Sequence, residues 1–339
     1  MFREIINSKK KLPNKKIYEA SKGQIVKKLK AVFFGTPDFS CPSLELLANH
    51  PQIDLQLVVS MPDRKAGRGQ KLQSPPVIEY CKNNRINFYQ TENINKDEEL
   101  LAKLEELNAD FFLVLAFAQF LGSKVLNMPT IGCFNIHTSL LPKYRGAAPI
   151  QYALLNGDNE TGVSIQKMVK KMDAGDIVKE SKLPISFEET GGQLYTRLKF
   201  AASLTLNDFI QDMISDDISS YKQNEEDVTF APTLKKEDGH IKFSEKTYNE
   251  IHNQVRALKP WPGTFCFLNG KRLKVLEISP YTGNKLNAGE IKISDNKILV
   301  GSKDKTIRLD MIQLEGKKAC RDTDAVNGLT NKYDTFEIS

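Results

Sequence analysis

Between residues 29 and 185, short apolar runs alternate with amphipathic stretches, and this alternation restricts the fold more than any other feature. Leu29-Lys-Ala-Val-Phe-Phe-Gly35 reads as a buried strand and residues 55–60 as a second. Residues 111–116 are almost continuously apolar, as expected of a central strand covered on both faces. Helical patterns lie between these runs. One extends to residue 49, with Thr36 as N-cap and Pro37 at the first position. Another, opened by Ser74-Pro75, extends to residue 84, and a third spans 98–107 with its charges outward. Strand alternating with helix implies a parallel sheet. Gly35 stands alone before Thr36, without a Gly-x-Gly-x-x-Gly pattern, so a dinucleotide site is not expected.

At 339 residues the chain is long for one domain and comfortable for two. No apolar run approaches the roughly 20 residues of a membrane span. Residues 1–30 hold ten of the 48 Lys/Arg and two of the 42 Asp/Glu, a net +8, which leaves the remainder at −2. The basic excess is therefore concentrated in a segment of about 1–28, including Lys9-Lys-Lys11, Lys15-Lys16 and Lys27-Lys28. It has no apolar h-region and reads as a solvated, disordered extension. A helper arm for nucleic acid is the alternative. Cys41, Cys81, Cys133, Cys266 and Cys320 are scattered, without Cys-x-x-Cys. That spacing fits free thiols in a reducing compartment, with neither a disulfide frame nor a zinc site.

Further strands are predicted over 131–137, 162–168 and 177–185, with helices over 149–156 and 190–214. Gly157 is a suitable stop for the first of these helices. The polar stretch 216–227 reads as a linker. Beyond it, a helix over 250–257 precedes short strands at 264–268, 273–278, 290–294, 297–300 and 306–313. Short strands at that spacing predict a small barrel.

Asn135 and His137 are two apart in the 131–137 run, so their side chains share one face of a strand. They should sit at its carboxyl end, where open α/β sheets bind ligands. Asp173 follows in Met172-Asp173-Ala-Gly-Asp176. An amide can donate to a developing oxyanion, an imidazole titrates near neutral pH, and a carboxylate can fix its tautomer. Each has a structural alternative: a core histidine, an asparagine bonded to backbone, an aspartate capping a turn.

The chain resembles the methionyl-tRNA formyltransferases of the folate-dependent formyltransferase family over about residues 29–318. The resemblance rests on Phe34-Gly-Thr-Pro-Asp-Phe39, Pro62-Asp-Arg-x-x-Gly-Arg-Gly69 and Asn135-x-His137. It continues through Ser139-Leu-Leu-Pro-x-Tyr-Arg-Gly-Ala-Ala-Pro149, Asp173-Ala-Gly-Asp176 and Arg256-Ala-x-x-Pro-Trp-Pro262. It implies an α/β fold: a Rossmann-like parallel-sheet catalytic domain over 29–215 and, after the 216–227 linker, an oligonucleotide-binding-type β-barrel over 228–339. The implied reaction moves a formyl group from 10-formyltetrahydrofolate, the co-substrate, to the amino group of methionyl initiator tRNA, without a metal. Asn135, His137 and Asp173 would be the catalytic residues. Ser139, Leu140, Leu141, Pro142, Phe117 and Ala118 would contact the folate, and Arg64, Lys65, Arg68 and Lys71 the tRNA. Lys271, Arg272, Lys274, Lys317 and Lys318 could add phosphate contacts, although each is as readily ordinary surface charge. A monomer in the cytoplasm is expected, with the mitochondrial matrix as the alternative.

Three residues depart from the family pattern. Phe117-Ala118 stands where Tyr-Gly is usual, and Thr138 where Ala or Gly is usual. They put the detail of the pterin pocket in question. The competing readings are a formyltransferase for a sugar nucleotide or other small substrate, and a non-catalytic RNA-binding protein that keeps the fold.

Overall fold

The computed structural model describes residues 28–67, 69–332 and 335–339. The basic segment expected over 1–28 falls outside these residues except for Lys28, and so does Arg68.

In chain order, the first half comprises β1 (Leu29–Gly35), α1 (Cys41–Asn49), β2 (Ile53–Ser60), β3 (Arg64–Ala66), β4 (Lys71–Gln73), α2 (Pro76–Asn84), β5 (Phe88–Gln90), α3 (Glu98–Leu107), β6 (Phe111–Leu115) and α4 (Ser123–Leu126). There follow β7 (Gly132–His137), β8 (Arg145–Gly146), α5 (Pro149–Leu155), β9 (Glu160–Lys167), β10 (Ile177–Pro184) and α6 (Gly191–Ile214). Seven strands form one sheet in the order β10-β9-β7-β6-β1-β2-β5. Alternate residues of β6 enter opposite cores. Phe111, Leu113 and Leu115 pack with Ala31, Phe33 and residues of α1 and α6. Phe112 and Val114 pack with Val32, Phe34 and α3. Burial on both faces explains the unbroken apolar run read in the sequence.

Three local expectations are corrected. The sheet is not wholly parallel: β9 runs antiparallel to β7, and β10 antiparallel to β9. The 168–176 connection is too short for the crossover that a parallel β9–β10 pair would need. Thr36 and Ser74 do not cap helices. Thr36 Oγ1 donates to the Phe117 carbonyl, and Ser74 Oγ donates to Asp63. Both hydroxyls instead tie together loops at the sheet's carboxyl edge. The polar 61–74 loop contains a hairpin, with Arg64 opposite Gln73 and Lys65 opposite Leu72.

The second half comprises β11 (Phe230–Ala231), α7 (Tyr248–Ala257), β12 (Thr264–Leu268), β13 (Lys271–Pro280), β14 (Ile291–Ser294), β15 (Lys297–Gly301), β16 (Thr306–Leu314), β17 (Cys320–Arg321) and α8 (Asp322–Thr330). Its antiparallel sheet has the order β12-β13-β16-β15-β14, with β17 on β16. Register shifts between β13 and β16 at Glu277 mark bulges, which increase twist and curve a sheet around its own core. The closing helix α8 had no counterpart in the sequence reading. Its first residue, Asp322, is fully buried and pairs with Arg308 through two bonds of 2.9 and 2.8 Å.

Arg256, at the end of α7, joins the halves. Its guanidinium donates to the carbonyls of Ser186 and Glu189, at 3.1 and 3.4 Å, and to Asn253. A Cβ at Gly191 would collide with the Ala257 carbonyl, so α6 begins in direct contact with the end of α7. Removing Arg256 takes its donor from the carbonyl of the buried Glu189, at about 1–3 kcal/mol, while Ser186 O keeps the bond from Glu189 N. Arg256→Ala is therefore expected to lower unfolding stability by that amount in a urea titration, while a folate analogue still binds with wild-type affinity.

Candidate active site

Strand β7 carries Asn135 and His137 at the sheet's carboxyl edge. Asn135 lies between Val114 of β6 and Gln166 of β9, and His137 lies opposite Ser164. Asn135 is half-buried, and its amide makes no hydrogen bond among the described residues. It can therefore donate to an incoming group.

His137 is 6% exposed. Its Nε2 lies 2.9 Å from the Tyr144 carbonyl oxygen. A carbonyl only accepts, so this geometry assigns the Nε2 proton to that bond. Nδ1 lies 3.8 Å from Asp173 Oδ2, within range of a charge pair but beyond a hydrogen bond. One nitrogen thus fixes the ring, while the other faces a carboxylate and keeps its capacity to bind a proton.

Asp173 has φ +49°, a left-handed conformation unusual for a non-glycine residue. Its Oδ2 accepts from the Gly146 backbone N–H and its Oδ1 from Gln166 Nε2, both at 2.9 Å. Gln166 Oε1 in turn accepts from Gly175 N at 3.1 Å. Any Cβ at Gly175 would collide with the Lys167 carbonyl, which accounts for glycine in the Asp-Ala-Gly-Asp turn.

The third part of the site centres on Arg145 and reaches into a stretch read in the sequence only as a linker. Arg145 is 1% exposed, yet it carries a permanent charge. Its Nε and Nη2 donate to Gln223 Oε1 at 3.1 and 2.7 Å, and Nη2 also donates to Glu225 Oε1 at 2.9 Å. Gln223 and Glu225 belong to the stretch expected only to link the domains. Gln223 Nε2 donates to the carbonyls of Asp173 and Gly175, at 2.9 and 2.8 Å. Further along, Arg145 N donates to Thr229 O, and Ala147 N and Ala148 N to Ala231 O, while β11 pairs with β8. A charged residue beside an apolar motif, with an acidic run elsewhere in the chain, was the available signal.

The residues expected to contact folate lie in two places. Ser139 is fully buried, and its hydroxyl donates to Lys143 O. Leu140, Leu141 and Pro142 line a cavity of about 450 Å³ with Tyr144 and Asp158, a lining that does not include Asn135, His137 or Asp173. Phe117 is 1% exposed and packs edge-on against Phe34, so only its backbone is available to a ligand. Ala116 and Ala118 flank it, exposed and with φ of +52° and +66°.

Of the residues expected to contact tRNA, Lys65 and Lys71 are exposed on the β3–β4 hairpin, and Arg64 pairs with Glu92 at 3.0 Å. Arg68 is outside the described residues. In the second half, Lys271, Lys274, Lys317 and Lys318 are exposed, whereas the Arg272 guanidinium lies 3.7 Å from the centre of the Phe265 ring. Among the described residues, no three His, Cys, Asp or Glu side chains converge as metal ligands, and no helix is long and apolar enough to cross a membrane.

Hydrogen bonds from Arg145 and then Lys171 hold the exposed Glu225 carboxyl down at about 2, from an ordinary 4.5. A depressed carboxylate pKa contributes stability above the unfolded value, and this is lost as pH falls from about 4.5 to about 2. A carbon-detected NMR titration should place the Glu225 midpoint in the lower half of that window. Lys171→Ala should move the midpoint up.

A profile of the Formyl transferase family matches residues 29–210, and one of the Formyl transferase C-terminal domain matches residues 233–330. The chain is 37% identical over 300 residues to a methionyl-tRNA formyltransferase of Geobacter metallireducens, covering 88% of this chain and 96% of that one. It is 36% identical over 310 residues to that of Lactiplantibacillus plantarum, covering 90% and 97%. Among solved structures, it shares its fold with an N-formyltransferase of Helicobacter canadensis in complex with folinic acid and dTDP-3-aminofucose. That similarity has a TM-score of 0.62 and 22% identity over 83% of this chain and 98% of that one. HypX of Aquifex aeolicus matches with a TM-score of 0.59 and 13% identity over 91% of this chain and 48% of that one. The two family profiles and the near-complete coverage of the Geobacter metallireducens and Lactiplantibacillus plantarum enzymes establish that the chain belongs to the methionyl-tRNA formyltransferase family.

Proposed function

We infer that this enzyme transfers the formyl group of 10-formyltetrahydrofolate to the amino group of methionyl initiator tRNA. The observation that carries the assignment of the site is the convergence on one strand face of an unpaired amide, an oriented imidazole and a carboxylate. The Asn135 amide donates to the formyl oxygen as negative charge builds there. His137 accepts the proton released by the attacking amine at Nδ1, the nitrogen not committed to Tyr144 O, and returns it to the folate N10 as the bond between N10 and the formyl carbon breaks. Asp173 lies beside that nitrogen and stabilises the positive charge it gains. Leu140, Leu141 and Pro142, with the backbone of residues 116–118, would hold the folate. The folate, when bound, supplies the activated formyl carbon.

The β3–β4 hairpin, with Arg64, Lys65, Lys71 and the intervening Arg68, receives the acceptor end of the tRNA. Exposed lysines of the C-terminal sheet add phosphate contacts. The reading includes action as a monomer in the cytoplasm.

Purified protein should formylate charged initiator tRNA well in excess of charged elongator methionyl-tRNA, and equal rates on both would sink the substrate assignment. His137→Ala should lower kcat by roughly 10²–10⁴-fold. Asn135→Ala should lower it by roughly 10²–10³-fold with folate affinity kept; a change confined to the folate KM would make Asn135 a binding group instead. The doubly substituted Lys65→Ala, Lys71→Ala protein should bind tRNA with a salt slope shallower by about 0.7–0.9 per lost phosphate contact. Its folate affinity should match wild type, and weakened folate binding with intact tRNA kinetics would assign the hairpin to the folate site.

A further inference from the structure

We propose that Gln223, in the segment joining the two domains, is a positioning residue for formyl transfer that holds the Asp173 turn against His137. This rests on the reading of Asn135, His137 and Asp173 given above.

The side chain of Gln223 is bonded at both ends. Its Oε1 accepts from Nε and Nη2 of the buried Arg145, and its Nε2 donates to the main-chain carbonyls of Asp173 and Gly175. Asp173 is held at φ +49°, a conformation that persists in a non-glycine residue only when its surroundings enforce it. Gln166 reaches the Asp173 carboxylate and the Gly175 N–H. Gln223 donates to the two carbonyls, so the two glutamines together bind the turn's carboxylate, its N–H and its carbonyls. Without Gln223, Arg145 retains Glu225 as a side-chain partner, but both carbonyls lose a donor.

The consequence reaches His137 by a short path. The same turn places Asp173 Oδ2 on the Gly146 N–H and 3.8 Å from His137 Nδ1. A turn relaxed toward ordinary backbone angles withdraws the carboxylate from the imidazole while leaving Asn135 and the folate-holding residues in place. The expected signature is therefore a loss in kcat without a matching change in KM. Glutamine is specifically required: a carboxylate can satisfy Arg145 but cannot donate to carbonyls.

The test uses the full-length protein with Gln223→Ala, Gln223→Glu, Asp173→Ala and the double substitution Gln223→Ala with Asp173→Ala. Gln223→Glu keeps the Arg145 pairing and loses only the two bonds to carbonyls, so its melting temperature should fall less than that of Gln223→Ala, and it remains informative if the alanine variant folds poorly. Both single Gln223 variants should lower kcat by about 10²-fold, the scale of an ångström-sized misplacement. The KM for formyl-folate and for methionyl-tRNA should be unchanged. In the Asp173→Ala background, Gln223→Ala should cost nothing further, since a residue acting through Asp173 has nothing left to position. Wild-type kcat in Gln223→Glu, or a full additional loss in the double variant, would overturn the proposal. Wild-type kcat in Asp173→Ala would instead remove the underlying reading of the site, and the proposal with it.

Discussion

A guanidinium 1% exposed to solvent organises the centre of this protein. Taking a charge out of water costs several kcal/mol unless it is paired and hydrogen-bonded. The side-chain partners that Arg145 finds, Gln223 and Glu225, both lie beyond the last strand and helix of the catalytic sheet. Burial of Arg145 therefore dictates the path of the chain between the domains. That path brings Thr229 and β11 alongside β8, where Ala231 O accepts from two successive N–H groups. The pairing fixes β8, and the backbone around β8 supplies both the Tyr144 carbonyl that orients His137 and the Gly146 N–H that holds Asp173. Glycine is required at 146 for this approach: its φ is +125°, and a Cβ there would come within 2.7 Å of Ala231 O.

Unfavourable backbone geometry gathers around the same centre. Asp173, Ala116, Ala118 and Tyr144 all have positive φ, and three of them are neither Asn nor Asp. Such residues persist where surrounding contacts outweigh a local cost of order 1–3 kcal/mol each. At Asp173 those contacts are two side-chain amides and a backbone N–H. At residues 116–118 the anchor is Phe117, buried against Phe34 with its carbonyl bonded to Thr36. The flanking alanines are turned outward at the carboxyl end of β6. The Tyr-Gly to Phe-Ala change read in the sequence therefore leaves the ring in the core and places the strain on the exposed positions.

Much of the architecture was legible because its causes are local. The bounds of β1, α3 and β12 agree with the sequence reading, since apolar period and flanking polar residues act within a few positions. α3 is capped by the residue just before it, Asp97, whose side chain accepts from Leu100 N. What escaped the reading depends on distant partners. Thr36 and Ser74 have cap-like neighbours, yet their hydroxyls reach Phe117 and Asp63. The reversed direction of β9, antiparallel to both β7 and β10, is a property of the sheet and leaves no mark on strand composition. Gln223 and Glu225 are polar residues in a polar stretch, so composition cannot separate them from a solvated linker. Their importance follows from the charge at Arg145, 78 and 80 positions earlier.

The parallel part of the sheet also brings two segments distant in sequence to one edge. β1, β2, β6 and β7 run in the same direction, so the chain leaves each of them at a common edge. β2 ends at Ser60 immediately before the β3–β4 hairpin, and β7 ends at His137. The exposed Lys65 and Lys71 therefore rise from the same edge as the imidazole, without any need for sequence proximity. With residues 31–339 near neutral overall, attraction for a polyanion cannot come from net charge and must be local. A basic hairpin rising from that edge supplies local positive charge, while His137 and Asp173 stay largely shielded from water, a setting in which a donor to a developing oxyanion has its greatest effect.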